Sequence, residues 1–256
     1  MSPIGSKDLR CDTLYKSMRI EVYSACWNEE ILMPHFLRHY SQFADAIYLF
    51  DNESTDSTLD IAAKCPIARI NTYRTGGEFR DDILIRLKNG VWKNSKADYV
   101  IVADTDELLY HPDLIGYLQN NPQFDVFQPT AYHMIVGRIP SPKENLIRTS
   151  RMGAISGTHS KMLIFKPTTD IFYYPGAHKA HVEKGEISYK NELKILHYRY
   201  LTLEHRLKRN KECDARNITN KSLGWSKHFG YPEHRVKREF SETIERAYNV
   251  LQPRML

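Results

Sequence analysis

Three carboxylates follow an apolar run in the stretch YVIVADTDELLY, residues 99–110. Tyr99 to Ala103 have the composition of a buried strand, and Asp104, Asp106 and Glu107 come where that strand should end. Carboxylates this close repel one another, so a positive group is expected to offset them. Mg²⁺ and Mn²⁺ suit this role because they prefer oxygen ligands and share their remaining positions with phosphate oxygens. The motif therefore predicts a divalent metal site that binds a diphosphate.

The segments around this motif alternate between strand and helix patterns. Apolar or alternating runs predict strands at residues 19–26, 46–50, 67–73 and 99–103. Helical patterns of about 10 to 15 residues separate them, which indicates an α/β fold with a Rossmann-like, doubly wound, mostly parallel sheet and helices on both faces. Further strands are predicted at residues 126–129, 133–137, 161–165 and 193–198, and helices at 201–215 and 235–250.

Three of the predicted strands end in polar clusters, at residues 27–30, 51–53 and 104–107. The carboxyl ends of parallel strands lie at one edge of a sheet, and ligands bind beyond that edge. We therefore expect the three clusters to form one rim around a binding site.

The composition indicates a globular protein, with 41% hydrophobic and 26% charged residues in 256. Four widely spaced cysteines predict reduced thiols rather than a disulfide framework. No apolar run approaches the roughly 18 to 20 residues of a membrane span, and no secretion signal is evident, so we expect a cytoplasmic protein. Residues 197–240 hold 11 Lys and Arg against 5 Asp and Glu. This basic surplus suits an anionic partner, such as the lipid headgroups of a membrane surface contacted peripherally or a phosphorylated acceptor, or it is a solvated helical face. Without a recognised binding motif, no nucleic acid is expected.

Taken together, the rim motifs resemble a glycosyltransferase of the GT-A fold, within the family 2-like group. The resemblance is carried by N-E-E at residues 28–30, D-N-x-S-T-D at 51–56 and D-x-D-E at 104–107. It continues in the lysine-led strand KMLIFKP at 161–167 and in His197-Tyr198-Arg199, so that it covers roughly residues 19–210.

The resemblance implies a division of the chain and a reaction. Residues 1–17 would be a flexible arm, 18–200 the catalytic domain, and 201–256 a helical basic extension packed on that domain. Within the catalytic domain, residues 18–110 would bind the nucleotide and 111–200 the acceptor. The reaction would transfer a sugar, with inversion, from a nucleotide-diphosphate sugar to a hydroxyl of a glycan or glycolipid, with Mn²⁺ or Mg²⁺.

The same resemblance assigns roles to individual residues. Asp51 would hydrogen-bond the base of the donor, which favours a UDP-sugar over a GDP- or dTDP-sugar, and Trp27 would stack on that base. Arg80 would lie near the donor. Asp104, Asp106 and His197 would bind the metal and the diphosphate, and Lys161 would offset the charge of the diphosphate.

The catalytic base does not follow from the resemblance, because the acidic pair that usually supplies it after the metal motif is not evident here. We consider Glu183, Asp170 and His159 as candidates; also open are Glu144, Glu186, His178 and His181. Two other functions remain as alternatives: a Mg²⁺-dependent phosphohydrolase of the haloacid dehalogenase type, and an inactive protein that binds a sugar nucleotide or a polyanion.

Overall fold

The structure is a computed structural model that describes residues 18–252. The predicted N-terminal arm, residues 1–17, lies outside the described residues. The strands are β1 Ile20–Cys26, β2 Ala46–Asp51, β3 Ala68–Thr72, β4 Tyr99–Val102, β5 Glu107–Tyr110, β6 Val126–Phe127, β7 Thr130–Ile135, β8 Met152–Ile155, β9 Ile164–Phe165, β10 Asp170–Tyr173, β11 Ala180–Lys184, β12 Ile187–Ser188, β13 Lys194–Tyr200 and β14 Tyr248–Asn249. The helices are α1 Met33–Tyr40, α2 Thr58–Ala62, α3 Asp81–Lys88, α4 Leu114–Asn120, α5 Leu146–Thr149, α6 Leu203–Ala215, α7 Ile218–Ser222 and α8 Glu233–Glu245, with a 3₁₀ turn at Lys227–Gly230.

The larger sheet has seven strands in the order β12-β6-β9-β4-β1-β2-β3. Strands β3, β2, β1 and β4 are parallel neighbours, and β9 runs antiparallel to both β4 and β6. The chain runs outward from β1 to β3 and then returns to place β4 on the other side of β1. The α/β class and the mostly parallel sheet predicted from the sequence are confirmed.

Helices cover both faces of this sheet because the strand residues are apolar on both sides. Phe36 of α1 belongs to the same buried cluster as Val22 and Leu49 of the strands. On the opposite face, Ile85 of α3 packs into a second cluster with Val100. Successive strand residues point to opposite faces, so two cores are built from one set of strands.

A second sheet of five strands, in the order β14-β8-β7-β13-β5, lies beyond the D-x-D motif. The chain turns after β4 and forms β5, a strand that the sequence analysis did not predict. β5 pairs antiparallel with β13 in a register that sets Glu107 opposite His197. The predicted helix at 235–250 ends at Glu245, because Tyr248 and Asn249 pair with β8 instead.

The C-terminal segment contacts the preceding domain at several points. α6 follows β13 directly, and Arg209 of α6 forms an ion pair with Glu29. Among residues 18–252, no helix combines the length and the apolar composition needed to cross a membrane.

Candidate functional site

A cleft of about 750 Å³ opens beyond the carboxyl ends of β1 and β4. The strand order changes direction between these two strands, which is where doubly wound sheets bind ligands. Trp27 follows β1 and Asp104 follows β4, and both line the cleft. Residues of α3, β13, α6 and α8 complete its walls.

The first carboxylate of the D-x-D motif is held by two lysines. Lys88 of α3 donates to Asp104 Oδ1 at 2.5 Å, and Lys161 donates to Oδ2 at 2.8 Å. Lys161 also pairs with Glu107 at 2.7 Å, and the side chains of Lys161 and Glu107 are only 2% and 1% exposed. The Asp104 side chain is 37% exposed. Two lysines thus supply positive charge beside Asp104 and Glu107, and the predicted role of Lys161 toward the diphosphate stays a prediction.

These contacts set the ionisation of Asp104, Glu107 and Lys161. Burial alone would raise the pKa of Asp104, but the ammonium groups of Lys161 and Lys88 lower that pKa well below its usual value. Burial would likewise lower the pKa of Lys161, yet Asp104 and Glu107 raise it above its usual value. Burial raises the pKa of Glu107, and Lys161 opposes that shift. Lys161 is thus the cation on which the buried Glu107 carboxylate depends.

The second carboxylate of the motif faces the late histidine. His197 Nε2 lies 2.9 Å from Asp106 Oδ2, and Tyr198 N donates to the Asp106 carbonyl oxygen at 2.7 Å. Burial would raise the pKa of Asp106 and lower that of His197, but their mutual attraction lowers the first and raises the second. The pairing of β5 with β13 therefore joins two residues 91 positions apart.

Asp106 and His197 fit a divalent cation. Two adjacent ligands of an octahedral ion with bonds of about 2.1 Å lie about 3 Å apart, close to the 2.9 Å separation of these two atoms. Carboxylate oxygen and imidazole nitrogen are both suitable for Mn²⁺. Across residues 18–252, however, no group of three or more His, Cys, Asp or Glu side chains is arranged to hold a metal ion. Since both oxygens of Asp104 accept from lysines, its role as a metal ligand stays a prediction.

The N-E-E and D-N-x-S-T-D segments bind each other. Asn28 accepts from Thr55 N at 2.7 Å, and its own N–H donates to Ser54 Oγ at 2.9 Å. Glu29 N donates to Thr58 Oγ1 at 2.7 Å. Asn28 has a φ of 49°, a left-handed conformation that asparagine tolerates better than most residues. These two motifs therefore hold the loops after β1 and β2 together at the rim.

Trp27 lies where the sequence analysis expected an aromatic residue, but cations from α6 and its C-terminal end accompany it. The guanidinium of Arg216 lies 3.7 Å from the ring centroid, and that of Arg209 lies 5.0 Å away. Arg216 also donates to Asn52 Oδ1 at 2.7 Å. The sequence analysis missed both arginines as site residues; the basic surplus of residues 197–240 was the available signal.

Asp51 and Arg80 do not line the cleft. Asp51 is buried and accepts from Ser54 N at 3.0 Å, so its carboxylate stabilises the turn after β2. Arg80 binds Asp82 with two hydrogen bonds of 2.8 and 2.9 Å just before α3. Their proposed contacts with the donor stay predictions, and in this arrangement both side chains have other partners.

Of the three candidate bases, His159 alone lines the cleft. Asp170 and Glu183 lie on the exposed hairpin of β10 and β11. The His159 ring contacts those of His133, His178 and His197, with centroids 4.6, 4.6 and 5.3 Å away. Burial, followed by the neighbouring His197, lowers the pKa of His159, which keeps its imidazole neutral.

Eight of the eleven Lys and Arg residues at 197–240 form two sets. Some cations line the cleft: Arg199, Arg206, Arg209, Arg216 and Arg235. Others lie on exposed helix faces opposite glutamates four residues away: Lys208 with Glu212, Lys237 with Glu233, and Arg238 with Glu242. Within the cleft, Arg209 and Arg235 pair with Glu29 and Glu239, which leaves Arg199, Arg206 and Arg216 without a carboxylate partner among residues 18–252.

Comparison with known proteins gives distant structural similarity. No protein-family model matches the chain, and no curated protein matches it. Glucosyl-3-phosphoglycerate synthase from Mycobacterium tuberculosis, in complex with Mn²⁺, UDP and glucosyl-3-phosphoglycerate, aligns with 44% of this chain and 44% of its own at 20% identity and a TM-score of 0.33. TarS from S. aureus (residues 1–349), in complex with UDP, aligns with 88% of this chain and 70% of its own at 14% identity and a TM-score of 0.46. The match to the first structure thus spans less than half of that enzyme. At these values neither similarity identifies the function of this chain.

Proposed function

We propose that this protein is a GT-A glycosyltransferase. It transfers a sugar from a nucleotide-diphosphate sugar, preferentially a UDP-sugar, to a hydroxyl of a glycan or glycolipid acceptor, with inversion and with Mn²⁺ or Mg²⁺. The observation that carries this proposal is the Asp106–His197 pair, which lies at the switch point of a doubly wound sheet and lines a cleft large enough for a nucleotide sugar.

In this proposal the residues around the pair prepare the diphosphate site. Asp106 and His197 would hold the cation, which when bound would neutralise negative charge on the departing diphosphate. Lys161 and Lys88 fix the Asp104 carboxylate beside this position through bonds of 2.8 and 2.5 Å. These five residues lie on or beside regular elements: Asp104 and Asp106 between β4 and β5, His197 on β13, Lys88 on α3 and Lys161 just before β9. Their positions are therefore set before the donor binds.

The acceptor hydroxyl would be activated by a group that lies on the face of the transferred sugar opposite the departing diphosphate. His159 lines the cleft and its neutral imidazole has a ring nitrogen that can accept a proton from a hydroxyl. The same lowered pKa makes it a weaker base than an ordinary histidine. Its Nδ1 lies 2.8 Å from Ser156 Oγ, and its Nε2 lies 3.5 Å from Arg199. We assign His159 as the candidate base in preference to Asp170 and Glu183.

The test is release of UDP from a panel of UDP-sugars by the wild type and by Asp106→Asn. This substitution keeps the shape of the side chain and removes its charge, so we expect metal-stimulated UDP release to fall at least about 100-fold, as when one strong electrostatic contact to a transition state is lost. Asp170→Asn is the matched control on the exposed hairpin and should retain full activity. Equal activity of Asp106→Asn and wild type with Mn²⁺ would refute the proposal.

A further inference from the structure

One buried arginine in the cleft has no partner. Arg206 lies in the first half of α6, is only 6% exposed and lines the cleft. Throughout residues 18–252, its guanidinium has no hydrogen bond, ion pair or aromatic contact. The other two α6-side arginines differ, since Arg209 pairs with Glu29 and Arg216 bonds to Asn52.

An unpaired buried guanidinium is costly for a protein. Arginine stays charged under all ordinary conditions, so Arg206 cannot escape the cost by losing its proton. Removing such a charge from water costs several kcal/mol unless another charge or hydrogen bonds compensate. A guanidinium that is buried but open to a cleft is therefore suited to an anionic ligand.

Arg199 adds a second cation to the same cleft. It lies on β13, two residues after His197, and the chain passes from β13 through Thr202 into α6. Its guanidinium lies 3.5 Å from His159 Nε2, and no carboxylate pairs with it in the described part of the chain. Guanidinium groups present a planar fork of donors that matches the oxygens of a phosphate.

We infer that Arg206, with Arg199, binds a phosphate group carried by the acceptor. This inference rests on the proposed function, because it assumes that the cleft holds a donor and an acceptor together. It names the acceptor class: a phosphate-bearing glycan or polyol rather than a neutral sugar.

The position of Arg206 along α6 separates this phosphate from the nucleotide base of the donor. Arg216 lies at the C-terminal end of α6 beside Trp27, where the nucleotide is proposed to bind. Arg206 lies ten residues earlier, which is about 15 Å along a helix. Arg206 is thus placed for a ligand at the far end from the nucleotide base.

The inference is tested by calorimetry with glycerol 3-phosphate and with glycerol, both without nucleotide. We expect the wild type to bind glycerol 3-phosphate and to ignore glycerol. Arg206→Met should weaken the binding about 10- to 100-fold, the effect of losing a charged hydrogen-bonded contact. Lys208→Met removes the same charge from an exposed position on the same helix and should leave the affinity within about twofold.

A second titration, with UDP and Mn²⁺, identifies the source of the phosphate. Arg206→Met should bind UDP as tightly as the wild type does. An equal loss of UDP and glycerol 3-phosphate binding would assign Arg206 to the donor and overturn the inference. Failure of the wild type to bind glycerol 3-phosphate would overturn it too, whereas failure to bind UDP alone would refute the proposed function instead.

Thermal unfolding distinguishes a ligand-binding arginine from a structural one. Since Arg206 has no partner, Arg206→Met should be at least as stable as the wild type in phosphate-free buffer. Added phosphate should raise the melting temperature of the wild type but not that of the variant. A variant that is less stable than the wild type without phosphate would show that the guanidinium has a structural role, which contradicts the inference.

Discussion

Removing the ammonium group of Lys161 should destabilise the fold strongly. Lys161 pairs with Asp104 and Glu107 at 2.8 and 2.7 Å, and Glu107 is 1% exposed. In Lys161→Met the Glu107 carboxylate would be buried without a cation. Loss of one partner of a buried ion pair costs about 3 to 5 kcal/mol of unfolding free energy. Lys88→Met is the matched comparison because, among residues 18–252, Lys88 pairs only with Asp104, which is 37% exposed and keeps its ion pair with Lys161. Loss of the Lys88 ammonium group should lower the unfolding free energy by about 1 kcal/mol.

The assay is equilibrium urea unfolding at pH 8 of the wild type, the two single variants and Lys161→Met/Glu107→Gln. Neutral glutamine removes the uncompensated charge, so the double variant should recover about 2 kcal/mol relative to Lys161→Met. The loss in Lys161→Met should also shrink as the pH falls. Burial raises the pKa of Glu107 even with Lys161 present, and without Lys161 that pKa rises further. The penalty is therefore full above the raised pKa and disappears below it, as Glu107 takes up a proton.

Equal destabilisation by Lys161→Met and Lys88→Met would refute this reasoning. A loss of unfolding free energy in Lys161→Met that stays constant from pH 8 to pH 5 would also refute it. Such a loss would come from packing rather than from the uncompensated charge of Glu107.

Two further perturbations test the rim and an acid-sensitive loop. Asn28→Ala should lower the unfolding free energy by about 1 to 3 kcal/mol, because it loses the hydrogen bond from Thr55 N and the tolerance for a left-handed backbone. Asn28→Gly keeps that backbone tolerance and should lose about half as much. Equal losses for the two variants in urea unfolding would contradict this explanation. The Arg138 guanidinium lowers the pKa of Glu144 to about 2, so its ion pair stabilises the fold above about pH 4.5 and that contribution fades as the pH falls toward 2. Glu144→Gln should therefore lower the unfolding free energy by about 1 kcal/mol at pH 7 and by less at pH 3. The control, Glu183→Gln on the exposed hairpin, should change the unfolding free energy little. A loss in Glu144→Gln that does not depend on pH would contradict a stabilising ion pair.

The core sheet could be predicted from the sequence because its signals are local. β1, β2, β3 and β4 each consist of a short apolar or alternating run that ends in polar residues. The strand β5 was missed because its first residue, Glu107, is itself one of the three clustered carboxylates, which leaves only three further residues as a strand signal. Its pairing with β13 depends on a segment about 90 residues away, and no local pattern gives that register.

The site could be predicted in part for the same reason. Asp104 and Asp106 were recognised because they follow a strand, but which carboxylate meets lysines and which meets His197 is set by tertiary contacts. Arg80 was assigned from the family resemblance, yet Asp82 two residues later binds it locally. Arg216 lies 189 positions after Trp27 in the chain, a separation across which spacing carries no information.

The most direct measurement is calorimetric titration of the wild type and Asp106→Ala with UDP, each with Mn²⁺ and with EDTA. We expect the wild type to bind UDP with Mn²⁺ and to lose that binding with EDTA. Asp106→Ala should bind weakly under both conditions while remaining folded by circular dichroism, since the Asp106 side chain is 28% exposed and contributes more to the site than to the core. UDP binding by the wild type that is unchanged by EDTA, or normal metal-dependent binding by folded Asp106→Ala, would contradict the assignment of this pair to the metal and the diphosphate.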